Sequence, residues 1–227
     1  MNKISILIPV YNEKNSLLEV ISQIEAVDFG LDKEIILVDD YSTDGTRDLY
    51  SKINHKVILH EKNMGKGAAL RTALKKATGD IIIIQDADLE YNPQDYIQIV
   101  NLIKNDIFDV VYGSRFLDNK NSGNFLLLSF LANITLSCLT RLLYKVEITD
   151  METCYKAFRA EFIKDINIES NRFDFEPEIT AKVLRKNPRF SEVSISYNAR
   201  GVNEGKKVNW KDGLQAVWTL FKYRFFD

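Results

Sequence analysis

Cysteine is nearly missing from this chain of 227 residues: there are two, Cys138 and Cys154, with no CxxC and no Cys/His spacing of a ligand set. That excludes a disulfide-built scaffold and a zinc centre, and it fits a reducing compartment. An excess of charge of either sign is missing too. Thirty basic against 32 acidic residues leave a formal charge of −2, so no broad nucleic-acid-binding face is expected and any basic patch has to be local. Long apolar runs are also lacking. The uncharged stretch Phe125 to Thr140 holds Ser129, Asn133, Thr135, Ser137 and Thr140 and is short for a bilayer span; it suits either an apolar helix at an interface or a buried core helix. The opening MNKISILIPVYNE has too short an apolar run for a signal peptide, and no repeat or low-complexity linker follows. Neither GxGxxG nor GxxxxGK[ST] occurs, which disfavours a dinucleotide dehydrogenase and a P-loop enzyme.

What remains is ordinary globular composition, 45 % apolar and 27 % charged, arranged as strands alternating with helices. Ile4 to Pro9 reads as a strand, followed by a polar loop and an amphipathic helix from Ser16 to about Glu25. Glu34 to Val38 is a second strand ending in Asp39 and Asp40, with a turn into a helix near Thr46 to Lys52. Val57 to His60 is a third, followed by a glycine-flanked Lys66 and a helix over Ala68 to Ala77. Ile81 to Ile84 and Val110 to Tyr112 are the fourth and fifth, separated by a helix that Pro93 opens. The fold class is therefore α/β, a mostly parallel sheet with helices on both faces, and ligands in such sheets collect beyond the carboxyl ends of the strands. Later, Pro177 opens another helix, Glu192 to Tyr197 alternates as a half-buried strand, and Trp210, Leu214, Val217, Phe221 and Phe225 share a face of a basic amphipathic tail.

The chemistry concentrates in IIIIQDADLEYNP, Ile81 to Pro93. Four isoleucines form a strand buried on both faces, and polarity begins abruptly at Gln85. In extended backbone Asp86 and Asp88 aim at one point, and Glu90 continues the row. Clustered hard oxygens suit Mg²⁺ or Mn²⁺, usually held by one or two carboxylates with substrate phosphates completing the shell. Like charges at a strand mouth repel unless a cation compensates, which favours a metal site over a solvated turn. Lys66 either solvates a helix start or touches phosphate. Arg115 either pairs with a neighbouring acid or meets phosphate.

IPVYNE (Ile8 to Glu13), VDDYSTDGT (Val38 to Thr46), NMGKGAAL (Asn63 to Leu70), DADLEYNP (Asp86 to Pro93) and GSR (Gly113 to Arg115) stand in the order and spacing of family 2 glycosyltransferases with the GT-A fold. FEPE (Phe175 to Glu178) and the Arg200 to Lys206 segment resemble the dolichyl- and polyprenyl-phosphate sugar synthases. The resemblance implies one GT-A domain over residues 1–227, with 1–118 the nucleotide-sugar-binding half and 119–227 an acceptor-side half with amphipathic helices. It implies an inverting transfer of a hexose from GDP-mannose or a UDP-sugar to a lipid phosphate. Pro9, Tyr11, Glu13, Val38 and Asp40 would cradle the nucleoside. Asp86, Ala87, Asp88 and Glu90 would contact the diphosphate and its metal, with Lys66 beside them. Arg115, Arg200 and Lys206 would surround the phosphates of donor and acceptor, and Asp88, Arg115, Arg200 and Lys206 form the implied catalytic set. The expected partners are a nucleotide-sugar donor, a lipid-phosphate acceptor and a membrane surface, with no nucleic acid. The expected location is cytoplasmic, peripheral on the membrane.

The chain departs from the pattern in places. Glu90 replaces a more usual Gln, and Tyr41 stands where smaller residues are common. Asn124 to Asn133 carries no basic residue, which leaves Lys156 to supply a charge there. Two other readings stay open. A sugar-hydroxyl acceptor would need a carboxylate base, for which Asp150, Glu152 or Glu176 are candidates. A non-catalytic nucleotide-sugar-binding protein would need no turnover at all.

Overall fold

The computed structural model describes residues 1–118, 127–199 and 210–226. Seven strands form one sheet: β1 (Lys3–Val10), β2 (Asp32–Asp39), β3 (Lys56–Leu59), β4 (Ile81–Ile84), β5 (Val110–Ser114), β6 (Lys156–Arg159) and β7 (Phe190–Ser194). Their order is β3-β2-β1-β4-β6-β5-β7. β1 pairs in parallel with β2 from Lys3↔Asp32 to Val10↔Asp39, and with β4 from Ile4↔Ile81 to Leu7↔Ile84. Those runs of Ile, Leu and Val are almost wholly buried because helices cover both faces.

β6 is the strand the sequence did not announce. It lies antiparallel between β4 and β5, with Ile82 opposite Phe158 and Val111 opposite Ala157. Four residues carrying a lysine and an arginine give no clear period, and pairing on both edges decides their state instead. Because β6 runs backwards, its amino end sits at the carboxyl ends of β4 and β5. The preceding segment, Thr149 to Tyr155, is thereby delivered to the ligand side of the sheet. β6 also places a strand of the second half of the chain among those of the first, so 1–118 and 119–227 interleave. β7 begins two residues and ends three residues earlier than expected, and Tyr197 makes an isolated bridge to Tyr91.

The helices are α1 (Leu17–Ala26), α2 (Lys66–Leu74), α3 (Tyr96–Lys104), α4 (Leu127–Tyr144), α5 (Ala160–Ile163), α6 (Phe175–Arg185) and α7 (Trp210–Phe225); Thr46–Lys52 and Pro93–Asp95 are 3₁₀ turns. α7 buries Ala216, Thr219, Leu220 and Tyr223 against α4 and α6, where Tyr144 Oη donates to the Leu220 carbonyl at 2.8 Å. Leu214 and Phe225 of the expected apolar face point outward, each 62 % exposed. α4 buries Leu136, Ser137 and Thr140, as a core helix does, while Leu131 and Leu142 face out. Among the described residues no helix is long and apolar enough to cross a membrane.

Candidate active site

Two loops form the first wall. Beyond β1, the amide of Asn12 donates to Ser42 Oγ at 3.0 Å, that of Glu13 to Thr46 Oγ1 at 3.0 Å and that of Lys14 to Asp44 Oδ2 at 3.1 Å. In return the Thr43 amide donates to Asn12 Oδ1 at 2.8 Å. The loops after β1 and β2 are thus zipped together, which fixes Tyr11 and Glu13 beside the two acids of β2. Both acids are buried and occupied by protein donors. Asp39 accepts from the Ser42 amide, Arg47 Nε and Tyr50 Oη. Asp40 accepts from the amides of Met64 at 2.8 Å and Gly65 at 2.6 Å and faces His60 Nδ1 at 2.8 Å. Asp40 therefore shapes the loop that starts α2, and His60 is a buried bridge from it to Thr72. Pro9 and Val38 sit in register in the two strands beneath, Val38 fully buried.

The second wall rises from β4. Gln85 is fully buried; its amide nitrogen donates to the Asp86 carbonyl at 2.8 Å and its oxygen accepts from Tyr155 Oη at 2.9 Å and from Tyr96 Oη. It pins the backbone where the acids begin. Lys66 is not left to solvent: its ammonium lies 2.8 Å from Asp86 Oδ1 and 2.8 Å from Glu176 Oε1, bridging α2, the β4 end and α6. Burial works to lower the lysine's pKa and raise the aspartate's. The pair's mutual attraction outweighs it in both, leaving Lys66 well above its usual range and Asp86 below its own. Ala87 is buried, and Asp88 and Glu90 are half-buried.

The row of three carboxylates does not persist. Strand geometry ends at Ile84, residues 87–90 bend, and Glu90 turns to accept a hydrogen bond from Tyr197 Oη at 3.1 Å. Among the described residues no three His, Cys, Asp or Glu side chains form a ready-made metal cage. Two adjacent hard-oxygen acids, one already balanced by a lysine, still suit an ion that takes one or two carboxylates and draws its remaining ligands from phosphate.

The reversed strand supplies the third wall. Asp150 grips Arg115 with both oxygens, at 2.7 Å to Nε and 2.8 Å to Nη2, and also accepts the Arg115 amide. The guanidinium lies 5.0 Å from the Tyr197 ring centre. Of the two fates open to Arg115, pairing with an acid is the one observed. Lys156 does not reach the acceptor side: it is 1 % exposed, its ammonium held by the Met151 carbonyl at 2.9 Å and by that of Thr153, and burial drives its pKa down. The charge expected of it there is corrected accordingly. Glu152 is strongly perturbed. Burial, then the charge of Glu176, pushes its pKa up to about 7, and its Oε1 finds no partner among the described residues. Glu176 Oε2 is likewise unpartnered. Arg200 and Lys206 lie outside the described residues.

Sequence reasoning missed Gln85 as a pin and the Glu152–Glu176 proximity. The one signal available for Gln85 was a polar residue terminating four buried isoleucines. The proximity had none, because Glu152 and Glu176 meet only through the reversal of β6.

A sheet with acids at its carboxyl rim is common to several transferases, and comparison decides among them. The sequence model of Glycosyl transferase family 2 matches residues 5–166. The chain belongs to that family. The dolichol-phosphate mannosyltransferase of Pyrococcus furiosus is 31 % identical to this transferase over 229 residues, 97 % of this chain and 64 % of the relative. The UDP-N-acetylglucosamine–dolichyl-phosphate N-acetylglucosaminyltransferase of Methanococcus voltae is 30 % identical, covering 88 % of this chain and 90 % of its own length. A dodecaprenyl-phosphate galacturonate synthase from Rhizobium johnstonii is 27 % identical across 87 % of this chain and 60 % of its own. The transferase thus spans a little under two thirds of two of these relatives, all of them polyprenyl-phosphate sugar transferases by name. Mycobacterium tuberculosis glucosyl-3-phosphoglycerate synthase, crystallised with Mn²⁺, UDP and glucosyl-3-phosphoglycerate, superposes with a TM-score of 0.76 over 98 % of this chain and 80 % of that one. At 18 % identity that likeness carries the fold, which is GT-A.

Proposed function

We propose that this family 2 transferase moves a hexose from a nucleotide sugar to a polyprenyl or dolichyl phosphate, with inversion at the anomeric carbon. The observation that carries the choice of acceptor is the pairing of two candidate bases: Asp150 is neutralised by Arg115, and Glu176 shares the Lys66 ammonium with Asp86. Acids so engaged position cations and are poor proton acceptors. A phosphate acceptor needs no base, since it is already ionised near neutral pH. Asp88, with Asp86 behind it, would hold Mg²⁺ or Mn²⁺; bound there, the ion would offset charge developing on the departing nucleotide. Arg200 and Lys206 are assigned to phosphates, with Arg115 held at the third wall by Asp150, and Pro9, Tyr11, Glu13 and Val38 are assigned to the nucleoside, Asp40 acting through the loop it shapes.

Such an acceptor lives in a membrane. The outward apolar residues of α4 and α7, among them Leu131, Leu142, Leu214 and Trp218, with Lys222 and Arg224 nearby, fit a peripheral attachment to an anionic surface. One observation supports a second reading. Glu152, poised near neutrality with an unpaired oxygen, is the base that a sugar-hydroxyl acceptor would require. Incubating the protein and Mn²⁺ with a panel of nucleotide sugars and undecaprenyl or dolichyl phosphate, then weighing the product lipid, tests the first reading. Glu152→Gln separates the two: lipid-phosphate transfer survives it, whereas transfer to a hydroxyl falls by roughly a hundredfold or more.

A further inference from the structure

Tyr41 follows the buried acids at the end of β2 with φ of 68°, a left-handed conformation that side chains crowd and that a bulky aromatic seldom adopts. Glycine would take it without strain. The conformation is imposed from both sides. Asp40 donates its amide to the Val10 carbonyl at 2.8 Å while its carboxylate holds Met64 and Gly65, and the Ser42 amide is tied to Asp39 at 3.0 Å. Such strain gathers where a side chain has a task.

The core has no use for this ring, since Tyr41 is 43 % exposed. It is nonetheless held still. The Arg47 guanidinium lies 5.1 Å from the ring centre, and Arg47 is itself fixed by Asp39 at 2.7 Å and by the His60 carbonyl at 2.8 Å. A cation braced at two points backs the ring, and the rest of the ring is open at the rim of the wall assigned to the nucleoside. A preset aromatic plate costs little ordering when a flat heterocycle lies on it.

We propose that Tyr41 is a stacking platform for the base of the donor nucleotide and a specificity residue that favours a purine over a pyrimidine. Standing one residue outside the acids, it is reached best by a two-ring base, and stacking strength grows with ring overlap. The inference rests on the nucleotide-sugar reading. The test is calorimetric titration of GDP and UDP, with Mn²⁺, into the wild type, Tyr41→Phe and Tyr41→Gly, alongside the melting temperature of each. The wild type binds GDP more tightly than UDP. Tyr41→Phe keeps that order, and Tyr41→Gly loses roughly tenfold or more on GDP and less on UDP, while its melting temperature rises because the strain is gone. Wild-type preference for UDP, undiminished GDP affinity in Tyr41→Gly, or a lowered melting temperature in that variant overturns the platform and leaves the transferase reading standing. Failure of the wild type to bind either nucleotide defeats the nucleotide-sugar reading itself, and this inference with it.

Discussion

At the scale of the residue, Asp88 and Glu152 make separable predictions. If Asp88 holds the dication, Asp88→Ala and addition of EDTA each lower sugar transfer by roughly a hundredfold or more, and the two effects do not multiply. Full turnover in EDTA would remove the metal from the mechanism. Glu152 speaks through pH. Its folded carboxyl titrates at about 7 against an ordinary 4.5, so the folded state keeps a proton that the unfolded chain gives up. The stability this confers is complete below about 4.5 and is lost as pH rises through about 7. Glu152→Gln abolishes that loss. Denaturant titrations should find the variant more stable than wild type by roughly 1–3 kcal/mol at pH 8 and equal to it at pH 4. Lys66→Met should be costly at any pH above the carboxylate range, by roughly 3–5 kcal/mol, because Asp86 and Glu176 would be left as uncompensated buried charges.

Among the elements, the start of α2 is the most tightly constrained. A Cβ on Gly65 would stand 2.2 Å from the Asn171 carbonyl oxygen, and its φ of 97° is unsuited to any side chain. Gly67 faces the Ser170 carbonyl at 2.4 Å in the same way. The segment 168–172, latched further by Arg71 to the Ile168 carbonyl and to Asn171 Oδ1, leads straight into α6 and Glu176. Gly65→Ala should therefore lower the melting temperature, with a cost of roughly 2 kcal/mol or more, and disorder the Lys66 bridge as well. α7 makes a different prediction. Its buried face holds it to α4 and α6, so Leu214→Asp with Trp218→Asp on the outward side should leave the melting temperature within a few degrees while abolishing sedimentation with anionic vesicles. Unchanged sedimentation would disprove attachment through this helix.

Much of this was legible in the chain before folding, and the reasons differ by element. β1, β2 and β4 were plain because burial on both faces demands unbroken Ile, Leu and Val; Asp39 and Gln85 marked the ends of β2 and β4, while β1 runs one residue past Pro9. α7 was visible as a helix, but its orientation was not. A sixteen-residue segment with apolar side chains on more than one side does not say which side finds the protein. β6 was invisible because partners on both edges, and not its own period, make it a strand. At the site, strand ends located Asp40, Asp86 and Arg115, yet the partners that set their roles come from segments 24, 20 and 35 residues away in Met64, Lys66 and Asp150. Nothing local in the sequence encodes such meetings.

For the whole molecule, the consequence lies in the direction and position of one short strand. β6 closes the gap between β4 and β5, and β7 then covers the outer edge of β5. A fragment of residues 1–118 would leave β5 detached from the sheet and the apolar edge of β4 bare, so it should aggregate rather than bind nucleotide, as light scattering would reveal. On a ribosome the same arithmetic sets a timetable. The first four strands emerge early and in neighbouring order, but the middle of the sheet waits for residue 159 and its far edge for residue 194. The nascent protein carries an open β4 edge from residue 84 until residue 159 has followed, so chaperones that shield exposed strand edges should raise the yield of folded protein in cell-free synthesis.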